Sequence, residues 1–119
     1  MATGEDLGAY LPHYVDPSFN WQGLHQDTVE LFDGCTLHLL PGHTYALYGL
    51  RLDLANAGTF FLTSDQFHLR DNWEQGRPLG WLLRDHSAWF RSYRYAQRLV
   101  DRTGARLVFG HDADVLAEL

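Results

Sequence analysis

The chain has 119 residues, 45% of them apolar, which is enough for one hydrophobic core and too few for a second domain. Fifteen acidic residues against nine basic ones leave a net charge of −6, which argues against counterion-release binding of nucleic acid, a mode that needs a basic face. No apolar run approaches the about 18 residues that span a bilayer, the first twenty residues carry Glu5 and Asp6 where a secretory signal needs basic charge, and Cys35 is the lone cysteine, so a soluble cytoplasmic protein whose metal-capable side chains are His and Asp is expected.

Residues 1–27 show no period: Gly4, Gly8, Pro12, Pro17 and Gly23 interrupt them, yet they hold Tyr10, Tyr14, Phe19 and Trp21. Aromatics at that density either anchor a segment to a core or wall an apolar pocket, and the residues alone leave both open. From Thr28 the pattern turns to strands. Thr28–Phe32 and Thr36–Leu40 flank Asp33-Gly34, a dipeptide favoured in type I′ hairpins. Leu47–Leu54 and Thr59–Thr63, separated by Asn56-Ala57-Gly58, form a second pair, and the apolar run Phe60-Phe61-Leu62 predicts a strand buried on both faces.

Residues 73–83 contain Gly76, Pro78 and Gly80, which allows a short helical turn at most, followed by a loop with Trp81 tucked into the core. A long helix follows. Asp85 suits its N-cap, Trp89, Tyr93, Ala96 and Val100 recur at helical spacing, Arg91, Arg94, Arg98 and Arg102 lie mostly off that stripe, and Gly104 can end it. Ala105–Phe109 reads as a final buried strand and Asp114–Leu119 as a short helix. All nine basic residues are Arg after position 50, interleaved with nine acids, a pattern of a solvated surface. The elements sum to an α/β layered arrangement, with antiparallel-rich strands and one long covering helix.

Three polar residues directly follow apolar strands: His43 in Leu40-Pro41-Gly42-His43, Asp65 in Leu62-Thr63-Ser64-Asp65, and His111 in Val108-Phe109-Gly110-His111. Taken singly each has a plain reading, the histidines as turn residues and the aspartate as a cap. Together, two imidazoles and a carboxylate on strand ends suit a divalent metal of the Zn²⁺ or Mn²⁺ type. His13, His25, His38 and His86 read as loop, strand-face and helix-start residues.

The succession Pro41-Gly42-His43-Thr44, a hairpin, Leu62-Thr63-Ser64-Asp65 and Gly110-His111-Asp112 resembles the second half of the metallo-β-lactamase-fold hydrolases, whose segments read T-P-G-H-T-P-G-H, L-x-x-G-D and G-H. Asn72-Trp73-Glu74 and Gly76-Arg77-Pro78 look most like the N-acyl-homoserine lactonase branch. The resemblance runs from Thr28 to Leu119, leaving 1–27 as a separate irregular segment. It implies the C-terminal half of an αββα sandwich. It also implies a two-metal zinc site, with His43 on the first ion, Asp65 bridging and His111 on the second, in which a metal-bound hydroxide opens a small lactone or ester-like carbonyl.

Three departures qualify this. The family's N-terminal H-x-H-x-D-H has no counterpart, since no H-x-H occurs in the 119 residues. Each ion would then keep two protein ligands, below the three of a catalytic zinc site, so tight metal binding and turnover by this chain alone are not expected. The second Pro-Gly-His is replaced by Tyr45-Ala46-Leu47, a change in local packing. His68 stands where the lactonases carry a Tyr near the substrate carbonyl; it is either a catalytic hydrogen-bond donor to the oxyanion or a structural residue. Half of a two-sheet fold exposes the inner face of its sheet, which predicts self-association or a missing N-terminal partner. The alternative is a non-catalytic binding or dimerisation module that retains half of the fold.

Overall fold

The computed structural model describes residues 16–118; Tyr10, His13 and Tyr14 lie outside the described residues. Its centre is a five-stranded sheet in sequential order, β1 (Thr28–Phe32), β2 (Cys35–Leu39), β3 (Tyr48–Leu54), β4 (Gly58–Leu62) and β5 (Arg106–Val108). The first four pair antiparallel, and β5 adds parallel to β4 after a helical crossover. The β1–β2 turn falls at the predicted Asp33-Gly34, where Gly34 adopts φ +76° and a Cβ would meet the Asp53 carbonyl at 2.8 Å. One residue fewer separates the strands than expected, and a register irregularity between Glu30 and Phe32 absorbs the difference.

Helix α1 (Arg70–Glu74) precedes a 3₁₀ turn at Gly80–Leu82 and the 18-residue α2 (His86–Thr103); α3 (Ala113–Ala117) closes the chain. α2 starts and stops on its predicted residues. Asp85 accepts a hydrogen bond from the Ala88 amide at 2.8 Å, and Gly104 ends the helix at φ +65°. α1 begins three residues before the predicted segment because the Asn72 side chain accepts the Leu69 amide at 2.8 Å.

Strand register divides the sheet into two faces of different fate. Thr36, Arg51, Phe61 and Leu107 align across one face with His38, Leu40, Thr63 and Phe109. α2 packs there through Trp89, Ala96 and Leu99, and Leu40, Phe61, Trp89 and Ala96 are fully buried. His38 belongs to this core. Its Nδ1 lies 2.7 Å from the Tyr95 hydroxyl, its ring meets Phe61 edge-on, and its Nε2 is buried without a partner among the described residues. Burial, together with Arg51 and Arg102, holds its imidazole below the ordinary histidine range against the pull of Asp53.

The opposite face carries Val29, Leu37, Leu39, Leu50, Leu52, Leu54, Phe60, Leu62 and Val108, all partly or largely exposed, with buried Cys35 at its turn end. No helix or second sheet covers it among the described residues. The open sheet face expected from the sequence is therefore present among the described residues.

Several readings are corrected. β4 is not buried on both faces: Phe61 is buried, whereas Phe60 and Leu62 lie on the open side, Phe60 beneath the Arg106 guanidinium at 4.1 Å. β5 is shorter than 105–109 and starts on exposed Arg106. Trp81 is 91% exposed rather than in the core, because Gly80 at φ +63° turns the chain outward before α2. At the C-terminal end of the helix stripe Leu99 is buried, whereas Val100 is partly exposed. Phe19 and Trp21 pack edge-on against each other at 5.9 Å and remain more than half exposed, so they do not anchor their segment to the core.

Candidate metal centre

Three loops leaving strand ends meet at one edge of the sheet. The loop after β2 is clamped to the start of α2: the Gly42 carbonyl accepts the Arg84 and Asp85 amides at 2.9 and 3.1 Å, and Ser92 Oγ donates to the Pro41 carbonyl at 2.7 Å. Gly42 adopts φ +150°, and a Cβ there would stand 2.6 Å from Trp89 Cα. This close approach brings His43 to the site.

Asp65 sits in a 3₁₀ turn, Ser64–Gln66, entered through Ser64 at φ +52°, a left-handed conformation seldom taken by a residue with a side chain. Buried Gln66 holds the turn to the helix: its Nε2 donates to the Trp89 carbonyl at 3.1 Å, and Trp89 Nε1 donates to the Gln66 carbonyl at 2.8 Å. Phe67, beneath the loop, meets Trp73, Trp89 and Tyr93 edge-on, and Tyr93 Oη donates to the Trp73 carbonyl at 2.7 Å. The Asn-Trp-Glu run thus supports the Asp65 loop from behind.

The third loop is tied to the second by backbone. Gly110 N donates to the Phe67 carbonyl at 3.1 Å and His111 N to the His68 carbonyl at 2.9 Å. Gly110 is required by space, since a Cβ would lie 2.7 Å from the Ser64 carbonyl oxygen. Asp112 accepts the Arg70 amide at 2.8 Å, and this bond chiefly holds its carboxyl below the usual range.

The result is a cluster around one carboxylate. Asp65 Oδ1 lies 3.0 Å from His111 Nε2 and 3.9 Å from His68 Nε2, while Oδ2 lies 3.6 Å from His43 Nε2. The His68 ring is 4.3 Å from that of His111 and 5.8 Å from that of His43, centroid to centroid. Burial, aided by His111 and His43 and opposed by Asp65, depresses the His68 pKa, which favours the neutral imidazole a metal requires. His68 Nε2 and His43 Nδ1 are buried without partners among the described residues. Nitrogen and carboxylate donors at these separations fit a divalent ion, whose tetrahedral ligands at about 2.0–2.2 Å stand about 3.3–3.6 Å apart.

All four sequence candidates, His43, Asp65, His68 and His111, converge here, whereas His25, His38 and His86 stay apart. The sequence marks Trp89 only as part of the helix stripe and does not mark Gln66, because a reciprocal bond between a turn and a distant helix leaves no local pattern. A shallow depression lined by Leu62, Ser64, Val108 and His111 joins the cluster to the open sheet face.

No family model matches the chain. Over 113 residues it is 30% identical to the N-acyl homoserine lactonase AttM of Azorhizobium caulinodans, covering 90% of this chain and 43% of that protein. The AttM lactonase of Rhizobium johnstonii is 29% identical over 111 residues, with 88% and 42% covered. A solved N-acyl homoserine lactone hydrolase, with N-hexanoyl-L-homoserine bound at its catalytic metal center, superposes with a TM-score of 0.82 at 22% identity, over 92% of this chain and 43% of that one.

The chain has the C-terminal half of the metallo-β-lactamase fold. AidC, a dizinc quorum-quenching lactonase, also superposes, with a TM-score of 0.56 at 18% identity over 74% of this chain and 30% of that one. The chain spans less than half the length of these relatives. Within the metallo-β-lactamase half-fold, the clustered residues lie on loops leaving the ends of β2, β4 and β5, and the open apolar face lies beside them.

Proposed function

We propose that this chain is the C-terminal part of a metal-dependent hydrolase acting on a small lactone or ester-like substrate. The observation that carries the reading is the convergence of His43, Asp65 and His111 in a fold shared with lactonases. His43 and His111 would each hold a divalent ion, zinc by analogy with the relatives, with Asp65 between them. Its two carboxylate oxygens already face the two rings separately, as a bridging ligand requires. Such ions, when bound, activate water and oppose the charge that develops on a carbonyl oxygen.

The chain's own residues position this chemistry. Gln66 and Trp89 hold the Asp65 turn, the Gly110 approach fixes His111 against it, and the Gly42 contact with α2 holds His43. Residues 28–119 are the half-domain in this reading. The further donors would come from a complementary half carrying H-x-H-x-D-H, seated on the open sheet face. A second reading, a binding or dimerisation module without catalysis, draws on that same uncovered face.

The two readings separate in one experiment. The chain alone, and the chain mixed with the N-terminal half of a lactonase relative, are assayed for zinc content and lactone hydrolysis. The hydrolase reading expects two ions and turnover in the mixture, lost on Asp65→Asn. Association without turnover would support the non-catalytic module instead.

A further inference from the structure

The donors of Asp65, His68 and His111 fall within 4.8 Å of one another, and two of their distances radiate from the same oxygen, Asp65 Oδ1. His43 approaches the other oxygen and lies outside this set. With His43, Asp65 and His111 alone, each of two ions would keep two protein ligands; His68, either an oxyanion donor or a structural residue by sequence, stands here beside the Asp65–His111 pair. We propose that these 119 residues by themselves form a mononuclear divalent-cation site, with Asp65, His68 and His111 as its three protein ligands.

The proposal rests on reading the cluster as a metal centre, and not on hydrolysis. The separations of 3.0 and 3.9 Å from Asp65 Oδ1 bracket the about 3.3–3.6 Å expected between tetrahedral ligands, and all three donors already lie within 4.8 Å of one another, so side-chain rotation would bring them onto one ion. His68 Nε2 is withdrawn from solvent with no hydrogen-bond partner among the described residues, and it points to the side of the carboxylate that His111 also faces. A shared cation supplies what that nitrogen lacks. The backbone bond from His111 N to the His68 carbonyl sets the two rings beside each other before any ion arrives. Two imidazoles and one carboxylate select ions of the Zn²⁺, Co²⁺ or Fe²⁺ class over Mg²⁺ or Ca²⁺, and three protein ligands leave a position open. In a complete two-metal centre His68 would then be a ligand of the His111 ion, and the His43 side would hold the second.

Co²⁺ titration of the full chain, followed by its visible ligand-field bands and by calorimetry, tests this. One Co²⁺ per chain is expected, displaced by Zn²⁺. His68→Ala and His111→Ala should each weaken binding on the order of tenfold or more, His43→Ala should weaken it less than either, and His25→Ala should leave it unchanged; circular dichroism confirms that each variant folds. In the unsubstituted chain, Zn²⁺ should shift the ring resonances of His68 and His111 by more than those of His43. The proposal is overturned if the chain takes up no Co²⁺, or if His68→Ala binds as tightly as the parent. If His43→Ala instead loses as much as His111→Ala while His68→Ala is unaffected, His68 is not a ligand and the hydrolase reading survives. If the proposal holds but the mixture with a complementary half shows no turnover, the hydrolase reading alone fails.

Discussion

Gly110→Ala perturbs the candidate centre without replacing any of its candidate ligands. The φ of Gly110 lies outside the left-handed region, so its conformation alone would tolerate alanine; the obstacle is space. The added Cβ would lie 2.7 Å from the Ser64 carbonyl oxygen, 3.1 Å from its carbon and 3.3 Å from Asp65 Oδ1. The oxygen contact must open by about 0.5 Å to become tolerable, and it joins two backbone segments, neither of which can rotate away as a flexible side chain can. The opening would stretch the bonds from Gly110 N to the Phe67 carbonyl and from His111 N to the His68 carbonyl, now 3.1 and 2.9 Å. Overpacking of this kind costs about 1–3 kcal/mol, or roughly 4–12 °C in Tm for a chain of this length. Because His111 moves relative to Asp65, Co²⁺ affinity should fall in parallel. Urea denaturation with and without Co²⁺ measures both. An alanine variant with unchanged stability and affinity would refute the claim that this close approach builds the centre.

Other outcomes follow from the same geometry. Trp89→Ala removes a fully buried ring and the indole donor that holds the Gln66 carbonyl, and should cost about 3–5 kcal/mol in chemical denaturation. Asp85→Ala removes the α2 cap and should cost about 1 kcal/mol by the same measurement. The buried His38 imidazole is depressed in the folded state, so the unfolded chain binds the extra proton; its contribution is complete above the ordinary histidine pKa of about 6.5 and declines as pH falls through that value toward the folded one. Denaturation midpoints measured from pH 8 to 5 should therefore fall less steeply in His38→Gln than in the parent, and an identical slope would exclude His38 as the source. Leu50→Glu, on the open sheet face, should leave the circular dichroism spectrum intact while lowering any concentration-dependent association in sedimentation velocity; a monomeric parent chain would remove the basis for this expectation.

Local chemistry made much of this protein readable from its residues. Asp33-Gly34 placed the first hairpin, Asp85 and Gly104 bounded α2, and the strand-end positions of His43, Asp65 and His111 marked them together as candidates. Capping and positive-φ turns act over a few residues, and a motif can carry family resemblance without reference to three-dimensional contacts. Trp81 and Phe60 were misjudged because an aromatic or apolar residue has no local mark that tells a core position from an uncovered one; strand register and the turn at Gly80 decide that.

The site divides in the same way. Sequence identified which side chains are available, and it contains no H-x-H. The tertiary structure decided how the available donors are grouped. His68 and His111 are 43 positions apart, and a backbone hydrogen bond between loops from adjacent parallel strands brings their rings to 4.3 Å. Asp65 offers one oxygen to that pair and the other to His43 because the Gln66–Trp89 bonds fix its turn. Pairings over such separations depend on sheet register and helix packing, properties of the folded whole that no window of sequence contains.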